Sequence, residues 1–239
     1  MTKDRDDASA RKFDASRADD YAVQSRTALA GYDACHEVAA CLLSAALGQG
    51  APARILVVGV GGSGQEIVTG GRLEPAWRYV GVDPSAPMLD KARDAIAAAG
   101  LSERAELHLG RVQDLPDEPA FDAAMLIGVL HHLPGAAQKA EILDEIAKRL
   151  RPGAPFIVAG NRGAYAGDPL FLAAWGARWR MFGEREDAIK ARLGKILEGA
   201  DPPASDAEVA ELLERAGFGA PKLFFSSLFW GAWIAMRAR

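Results

Sequence analysis

The chain has 239 residues, enough for one large domain or two small ones. Its 49% hydrophobic and 25% charged residues exclude disorder as the dominant state, and a chain of this length buries a sizeable core without disulfide or metal staples. Lys plus Arg total 28 against 32 for Asp plus Glu, a net charge of −4, which argues against an extended nucleic-acid groove, where clustered positive charge displaces counterions.

Residues 1–20 are dense in Lys, Asp and Arg with little apolar period; they are expected to fray, with Phe13 as an anchor on the body. A charged rather than apolar start predicts no secretory signal. From Tyr21 to Leu47 one helix is predicted, because Tyr32, Cys35, His36, Val38, Ala39, Leu42, Leu43 and Ala46 recur at threes and fours. Cys35 and Cys41, the two cysteines, fall on different faces of that helix and too far apart to bridge. They are expected as two reduced core thiols, and with no C-x-x-C pattern no metal is expected. Gly48 to Pro52 reads as a loop.

The pattern then changes. Arg54-Ile-Leu-Val-Val-Gly59 is a continuous apolar run ending in glycines, as a buried parallel strand should be. A helix is predicted from Ser63 to Gly70, a strand at Tyr79–Asp83, a helix from Met88 to Ala99, and a strand at Ala105–Leu109. A fourth strand, Phe121–Ile127, precedes a helix from Gln138 to Leu150; a fifth spans Pro155–Ala159. Strands alternating with helices predict a doubly wound parallel sheet with right-handed crossovers. After Ala159 the alternation stops. Tyr165 to Leu197 reads as helical, with Phe171, Leu172, Trp175, Trp179 and Phe182 at helical spacing, more consistent with core or a dimer contact than with a substrate box. Ser205 and Glu208 form a capping box for a helix to Ala216. Strands near Lys222–Phe225 and Phe229–Ala235 are too close for a crossover, so an antiparallel pair at the sheet edge is predicted. The apolar stretch Leu223–Met236 is too short for a membrane span. The partition is a single domain: an N-terminal cover, 1–53; a ligand-binding core, 54–160; a helical insertion or lid, 161–204; and a last helix with two strands, 205–239.

Gly59-Val-Gly61-Gly-Ser-Gly64 is literally G-x-G-x-x-G between a strand and a helix, and Asp83 follows nineteen residues later at the end of the second strand. Glycines let the backbone approach a ligand closely, the helix N-terminus offers amides to an anion, and the acid accepts bonds from ribose hydroxyls. The motif alone fits a nicotinamide, flavin or nucleoside cofactor. Around it stand Gly81-Val-Asp-Pro-Ser-Ala-Pro-Met88, Gly110-Arg-Val-Gln-Asp-Leu-Pro116, Phe121 through His131-His132-Leu-Pro134, Leu150-Arg-Pro-Gly153 and Leu213-Glu-Arg-Ala-Gly-Phe218.

This ordered series resembles the class I S-adenosylmethionine-dependent methyltransferases, closely over residues 54–159 and more loosely beyond. The resemblance implies a Rossmann-like class I sheet with a helical N-terminal cover, and S-adenosyl-L-methionine as cofactor, leaving as S-adenosyl-L-homocysteine. It places Gly59, Val60, Gly61 and Gly64 under the methionine part, Asp83 on the ribose diol, and Pro84 and Met88 beside the adenine. Val112, through its amide, and Gln113 meet the adenine edge; Ile127 and Gly128 wall the sulfonium end. The sequence departs from the pattern at Val57, where an acid is usual, at Gly62, an extra loop residue, and at Arg111, which replaces an Asp and cannot accept a bond from the adenine amine. Phe13-Asp14, Gly31-Tyr32 and the C-terminal ending look similar to the branch containing carboxy-S-adenosylmethionine synthase. In that branch a Tyr matching Tyr32 reaches the cofactor's carboxylate, and an Arg from the partner subunit assists. Arg192 and Lys195 lie in the corresponding region but do not align with it.

Methyl transfer is an in-line displacement in which the enzyme mainly aligns the reactants, so a strong catalytic signature is not required. His131 and His132, after the fourth strand, are candidates for a base. Tyr21, Asn161, Tyr165 and Trp175 lie in the segments expected to line the acceptor site. The expected activity is methylation of a small molecule, with modification of the cofactor itself as the alternative and a dehydrogenase as the more distant one. The expected setting is the cytoplasm, without membrane, with a homodimer through the helical insertion.

Overall fold

A computed structural model describes residues 23–239, so Phe13 and Tyr21 lie outside the described residues. Residues 23–28 are helical. Then follow α1 (Tyr32–Leu47), β1 (Ala53–Val58), α2 (Gln65–Leu73), β2 (Trp77–Asp83), α3 (Ala86–Ala98), β3 (Ala105–Leu109), β4 (Ala123–Ile127), α4 (Gly135–Arg149) and β5 (Pro155–Asn161). The chain continues with α5 (Pro169–Met181), α6 (Glu186–Gly199), α7 (Asp206–Arg215), β6 (Lys222–Ser227) and β7 (Trp230–Met236).

The seven strands form one sheet in the order β3-β2-β1-β4-β5-β7-β6. β1 to β5 are parallel, and β7 runs antiparallel to both β5 and β6. This is the Rossmann-like sheet with an antiparallel C-terminal pair; an all-parallel dehydrogenase sheet does not have β7 reversed against β5. Because successive strand residues face opposite sides, the apolar runs of the central strands feed two cores. Leu56, Val58, Ala124, Leu126, Phe156 and Val158 pack against α4 and α7. Ile55, Val57, Met125, Ile127, Ile157 and Ala159 pack beneath α1, α2 and α3. A third cluster, Tyr165, Trp175, Trp179, Ile189 and Phe229, holds α5 and α6 on the end of β5.

Three expectations are corrected. The predicted helix from Tyr21 to Leu47 breaks at Gly31, whose φ of 83° turns the chain between residue 28 and α1. The stretch from Tyr165 to Leu197 is two helices, parted by Gly183 with φ 86°, which a period count over aromatic residues cannot detect. Cys35 is fully buried but Cys41 is exposed, because only one face of α1 meets the sheet. Boundaries elsewhere move by one to three residues. Ser205 caps α7 by accepting from the Glu208 amide at 3.1 Å, while Glu208 reaches back to the amide of Ala204, one residue before the position a capping box implies. Among the described residues no helix is long and apolar enough to cross a membrane.

Candidate active site

Parallel strands deliver their carboxyl ends to one edge, and the sheet order reverses between β1 and β4, the place where α/β sheets open a ligand crevice. The glycine loop begins there. Gly59, Gly62 and Gly64 take φ of 75°, 76° and 52°, a conformation L side chains resist. A Cβ on Gly59 would stand 2.3 Å from Val129 Cγ2, so the loop lies against the segment following β4. Gly61 is constrained by contact instead: a Cβ would meet Asp83 Oδ2 at 2.5 Å and Met88 Cβ at 2.7 Å.

Asp83 fastens the loop. Its Oδ2 accepts from the Gly61 amide and its Oδ1 from the Ser85 amide, each at 2.9 Å. Burial pushes its carboxyl above the usual carboxylate range against the lowering pull of those two amides. Each carboxylate oxygen retains a second lone pair for a ligand. The Asp83 carbonyl also accepts from the Gly110 amide at 3.0 Å, which brings the turn at Val112–Asp114 to the same edge. Asp114 caps that turn by accepting from the Arg111 amide at 2.7 Å. Val112 is buried and Gln113 exposed; Met88 is buried and Pro84 exposed beside it. Ile127 ends β4, and Gly128, φ 80°, donates its amide to the Ala159 carbonyl at 2.8 Å.

Tyr32 comes to the loop from the other side. Its hydroxyl is 3.0 Å from Ser63 Oγ. Arg26, which the sequence reading did not single out, lies 4.8 Å over the Tyr32 ring and donates to Gln65 Oε1 at 3.0 Å and to Asp33 at 2.8 Å. No local pattern connects Arg26 with Gln65; only the turn at Gly31 does. Val57, at the position where an acid is usual, is fully buried in the apolar layer under α1. The buried acid nearby is Glu66 on α2, 3.8 Å from His36 Nε2, while His36 Nδ1 is 2.8 Å from the Tyr32 carbonyl.

Burial opposes a charge on His36, but the Glu66 carboxylate and the Tyr32 carbonyl outweigh it and hold the imidazole above its ordinary value of 6.5. A raised folded-state value stabilises the protein fully below the unfolded value and is lost as pH rises through the folded one. Urea unfolding followed from about pH 6 upward is therefore expected to show stability falling as His36 deprotonates, with that slope absent in His36→Gln.

The paired histidines part company. His131 is buried, stacked edge-on against Trp230 at 5.9 Å, and its Nδ1 accepts from the Asn161 amide at 3.3 Å. That bond assigns the proton to Nε2. Burial drives the His131 pKa well below its ordinary value, helped by His132 and Lys139. His131 is thus a neutral imidazole with its basic nitrogen occupied, whereas His132 is half-buried. Asn161 ends β5 opposite Trp230 of β7. The Tyr165 hydroxyl is buried beside Asn161 and the Trp230 indole N–H beside the Cys35 thiol, and Phe229 packs edge-on to Tyr165 at 4.9 Å. Trp175 stacks on Trp179 at 5.3 Å and donates its indole N–H to the Ala28 carbonyl at 2.8 Å, so it belongs to the core of the insertion. Arg192 is held by Glu184 at 2.6 Å, over the Trp179 ring. Burial pushes the Cys35 thiol up to about 12, which leaves it protonated and inert as a nucleophile.

Comparison with known proteins agrees with this architecture. A family profile described as a methyltransferase domain matches residues 57–156. A demethylmenaquinone methyltransferase of Lactiplantibacillus plantarum is 27% identical over 153 residues, covering 61% of this chain and 62% of that protein. Among solved structures, a mitomycin 7-O-methyltransferase superposes with TM-score 0.61 at 19% identity, covering 86% of this chain and 54% of that one. A [4+2]-cyclase superposes with TM-score 0.59, also at 19% identity, covering 84% and 81%. The chain therefore spans about three fifths of the curated relative and about half of that O-methyltransferase, and at these identities the structural likeness speaks for the fold. Residues 57–156 thus resemble a methyltransferase domain, on a sheet whose order and antiparallel C-terminal pair are those of a Rossmann-like fold.

Proposed function

We propose that the chain transfers a methyl group from S-adenosyl-L-methionine to a small-molecule acceptor. The observation that carries this reading is the clasp of Gly61 and Ser85 on Asp83 at the switch point of the sheet. It forms a cradle that a single Cβ would fill, with a carboxylate facing the edge where a ribose would lie. Asp83 would hold the ribose diol, and Met88 and Pro84 would flank the adenine, whose edge meets Val112 and Gln113. Gly59, Val60, Gly61 and Gly64 would lie under the methionine part, with Tyr32 at its carboxylate and Ile127 and Gly128 at the sulfonium end.

When bound, the cofactor supplies a methyl group already activated by positive sulfur. What remains for the protein is alignment, worth several orders of magnitude in rate when reacting atoms are held in line. Asn161 and Tyr165, at the carboxyl end of β5, would meet the acceptor. An acceptor that must lose a proton would lose it to His132, because the basic nitrogen of His131 is already spent on the Asn161 amide. The synthase alternative calls for an Arg lent by the partner subunit; Arg192, in the corresponding region, is engaged with Glu184 of its own chain.

Titration calorimetry tests the cofactor assignment: S-adenosylhomocysteine is expected to bind and NAD is not. A metabolite screen read by S-adenosylhomocysteine release then identifies the acceptor. Release is the necessary readout because a related fold also houses a [4+2]-cyclase. Incubation with S-adenosylmethionine and prephenate is expected to leave the cofactor's mass unchanged; a carboxylated cofactor would establish the synthase alternative instead.

A further inference from the structure

The insertion and the glycine loop lie on different elements, yet side chains of α5 hold the segment that reaches the loop. Residues 23–28 are helical, and the last carbonyls of a helix have no partners within it. Arg178 and Trp175, three apart on one face of α5, supply them. Arg178 Nε donates to the Thr27 carbonyl at 2.6 Å and its Nη2 to the Arg26 carbonyl at 2.8 Å. Trp175 Nε1 donates to the Ala28 carbonyl at 2.8 Å. Three consecutive carbonyls are thus capped by the insertion.

The other end of this short segment faces the cofactor loop. Arg26 donates to Gln65, the first residue of α2, and Tyr32, just past the Gly31 turn, sets its hydroxyl on Ser63 within the loop. The turn has little freedom to absorb a displacement, because a Cβ on Gly31 would stand 2.9 Å from the Phe225 ring. A shift of α5 therefore moves residues 26–32 and, with them, two contacts on the glycine loop.

We infer that Arg178 is a positioning residue for the cofactor site: with Trp175 it clamps residues 26–28 so that Arg26 and Tyr32 stay on the glycine loop. The insertion thereby sets cofactor affinity without touching the cofactor. Coupling of this kind is reciprocal, so cofactor binding tightens α5 in turn. The inference rests on the cofactor reading given above.

The test is S-adenosylhomocysteine calorimetry on the full chain carrying Arg178→Met, Arg178→Lys, Trp175→Phe, Tyr32→Phe, or Arg178→Met with Tyr32→Phe. Arg178→Met is expected to weaken binding about tenfold, within the usual span of coupling between sites, and Arg178→Lys to restore part of the loss. Trp175→Phe keeps an aromatic ring, though a smaller one, and removes the donor to Ala28; it is expected to weaken binding in the same direction. In the double variant the loss is expected to be smaller than the product of the two single losses, the mark of residues acting through one network. Hydrogen exchange of the ligand-free Arg178→Met protein is expected to quicken at residues 29–36, a readout independent of any cofactor. Unchanged affinity in Arg178→Met, or losses that simply multiply, would overturn the inference. Failure of the unsubstituted protein to bind would overturn the cofactor reading and the inference with it, whatever the exchange result shows of the clamp.

Discussion

Asp83→Ala is expected to remove S-adenosylhomocysteine binding from the calorimetric range. Two charge-assisted hydrogen bonds to a ribose diol, at about 1.5–3 kcal/mol each, correspond to a loss of at least about a hundredfold in affinity. The same substitution acts on the fold, because the amides of Gly61 and Ser85 lose the Asp83 carboxylate as acceptor. Two buried amides left unpaired cost about 1–3 kcal/mol each, so a stability loss of about 2–4 kcal/mol is expected once water enters the space left. Asp83→Asn separates the two effects. It retains one oxygen for one amide but turns an N–H donor on the other, so it keeps more of the stability than Ala while still failing on the diol. Acidification offers a third check. Burial raises the Asp83 carboxyl above the usual carboxylate range, so affinity is expected to fall with pH through that folded-state value, earlier than an exposed carboxylate would give. Binding that survives Asp83→Ala would sink the site assignment.

The sheet was legible because its determinants are local and repeated. A strand buried on both faces has to be continuously apolar, as Ile55 to Val58 and Phe156 to Ala159 are, and each such run is punctuated by glycine or proline. The antiparallel ending was legible from the shortness of the link before Trp230 alone. The convergence of the glycine loop and Asp83 at one sheet edge was legible too, since close backbone approach and an acid after the second strand restrict the residue types to very few. What was not legible depends on contacts across the chain. Arg178 reaches Thr27 over 151 positions, and neither residue sits in a pattern that announces the other. His131 and His132 are adjacent, and only the fold shows that one is neutral and committed to the Asn161 amide. The exposure of Cys41 depends on how far around α1 the sheet extends, which the helical period does not state. Trp175 read as core sooner than as an acceptor wall, but nothing in its helical spacing pointed to its bond with the carbonyl of Ala28, 147 positions away.

The methyltransferase-domain profile spans residues 57–156, which hold the clasp on Asp83 but neither α5 nor residues 26–28. The cradle is closed by backbone amides on one carboxylate, a solution with few alternatives. The cover is held by side chains that another pair of helices could supply differently. Variable elements that adjust a fixed cradle are what a fold needs if it is to serve several chemistries.

Gly61→Ala is the sharper probe of that cradle, because at this position contact and backbone strain are separable. Gly61 is not in the left-handed region, unlike Gly59, Gly62 and Gly64, so alanine meets no conformational penalty there. What it meets is Asp83 Oδ2 at 2.5 Å and Met88 Cβ at 2.7 Å. Neither neighbour is the free end of a flexible chain: Asp83 is fixed by two amides, and a Cβ moves only with its backbone. The loop itself must give way, and the bond from the Gly61 amide to Asp83 is lost with it. Overpacking of this kind costs about 1–3 kcal/mol, so the protein is expected to remain folded, with its denaturation midpoint lowered. Affinity for S-adenosylhomocysteine is expected to fall by about a hundredfold, since the displaced loop withdraws both the cradle and the oriented carboxylate. Gly100→Ala is the matched control. It carries φ 73° with nothing within 4 Å of the added Cβ, so it is expected to lose about 1 kcal/mol from strain and to bind as the unsubstituted protein does. Equal affinity in Gly61→Ala would mean that the loop relaxes without consequence, and the ligand would then have to be held elsewhere than between Gly61 and Asp83.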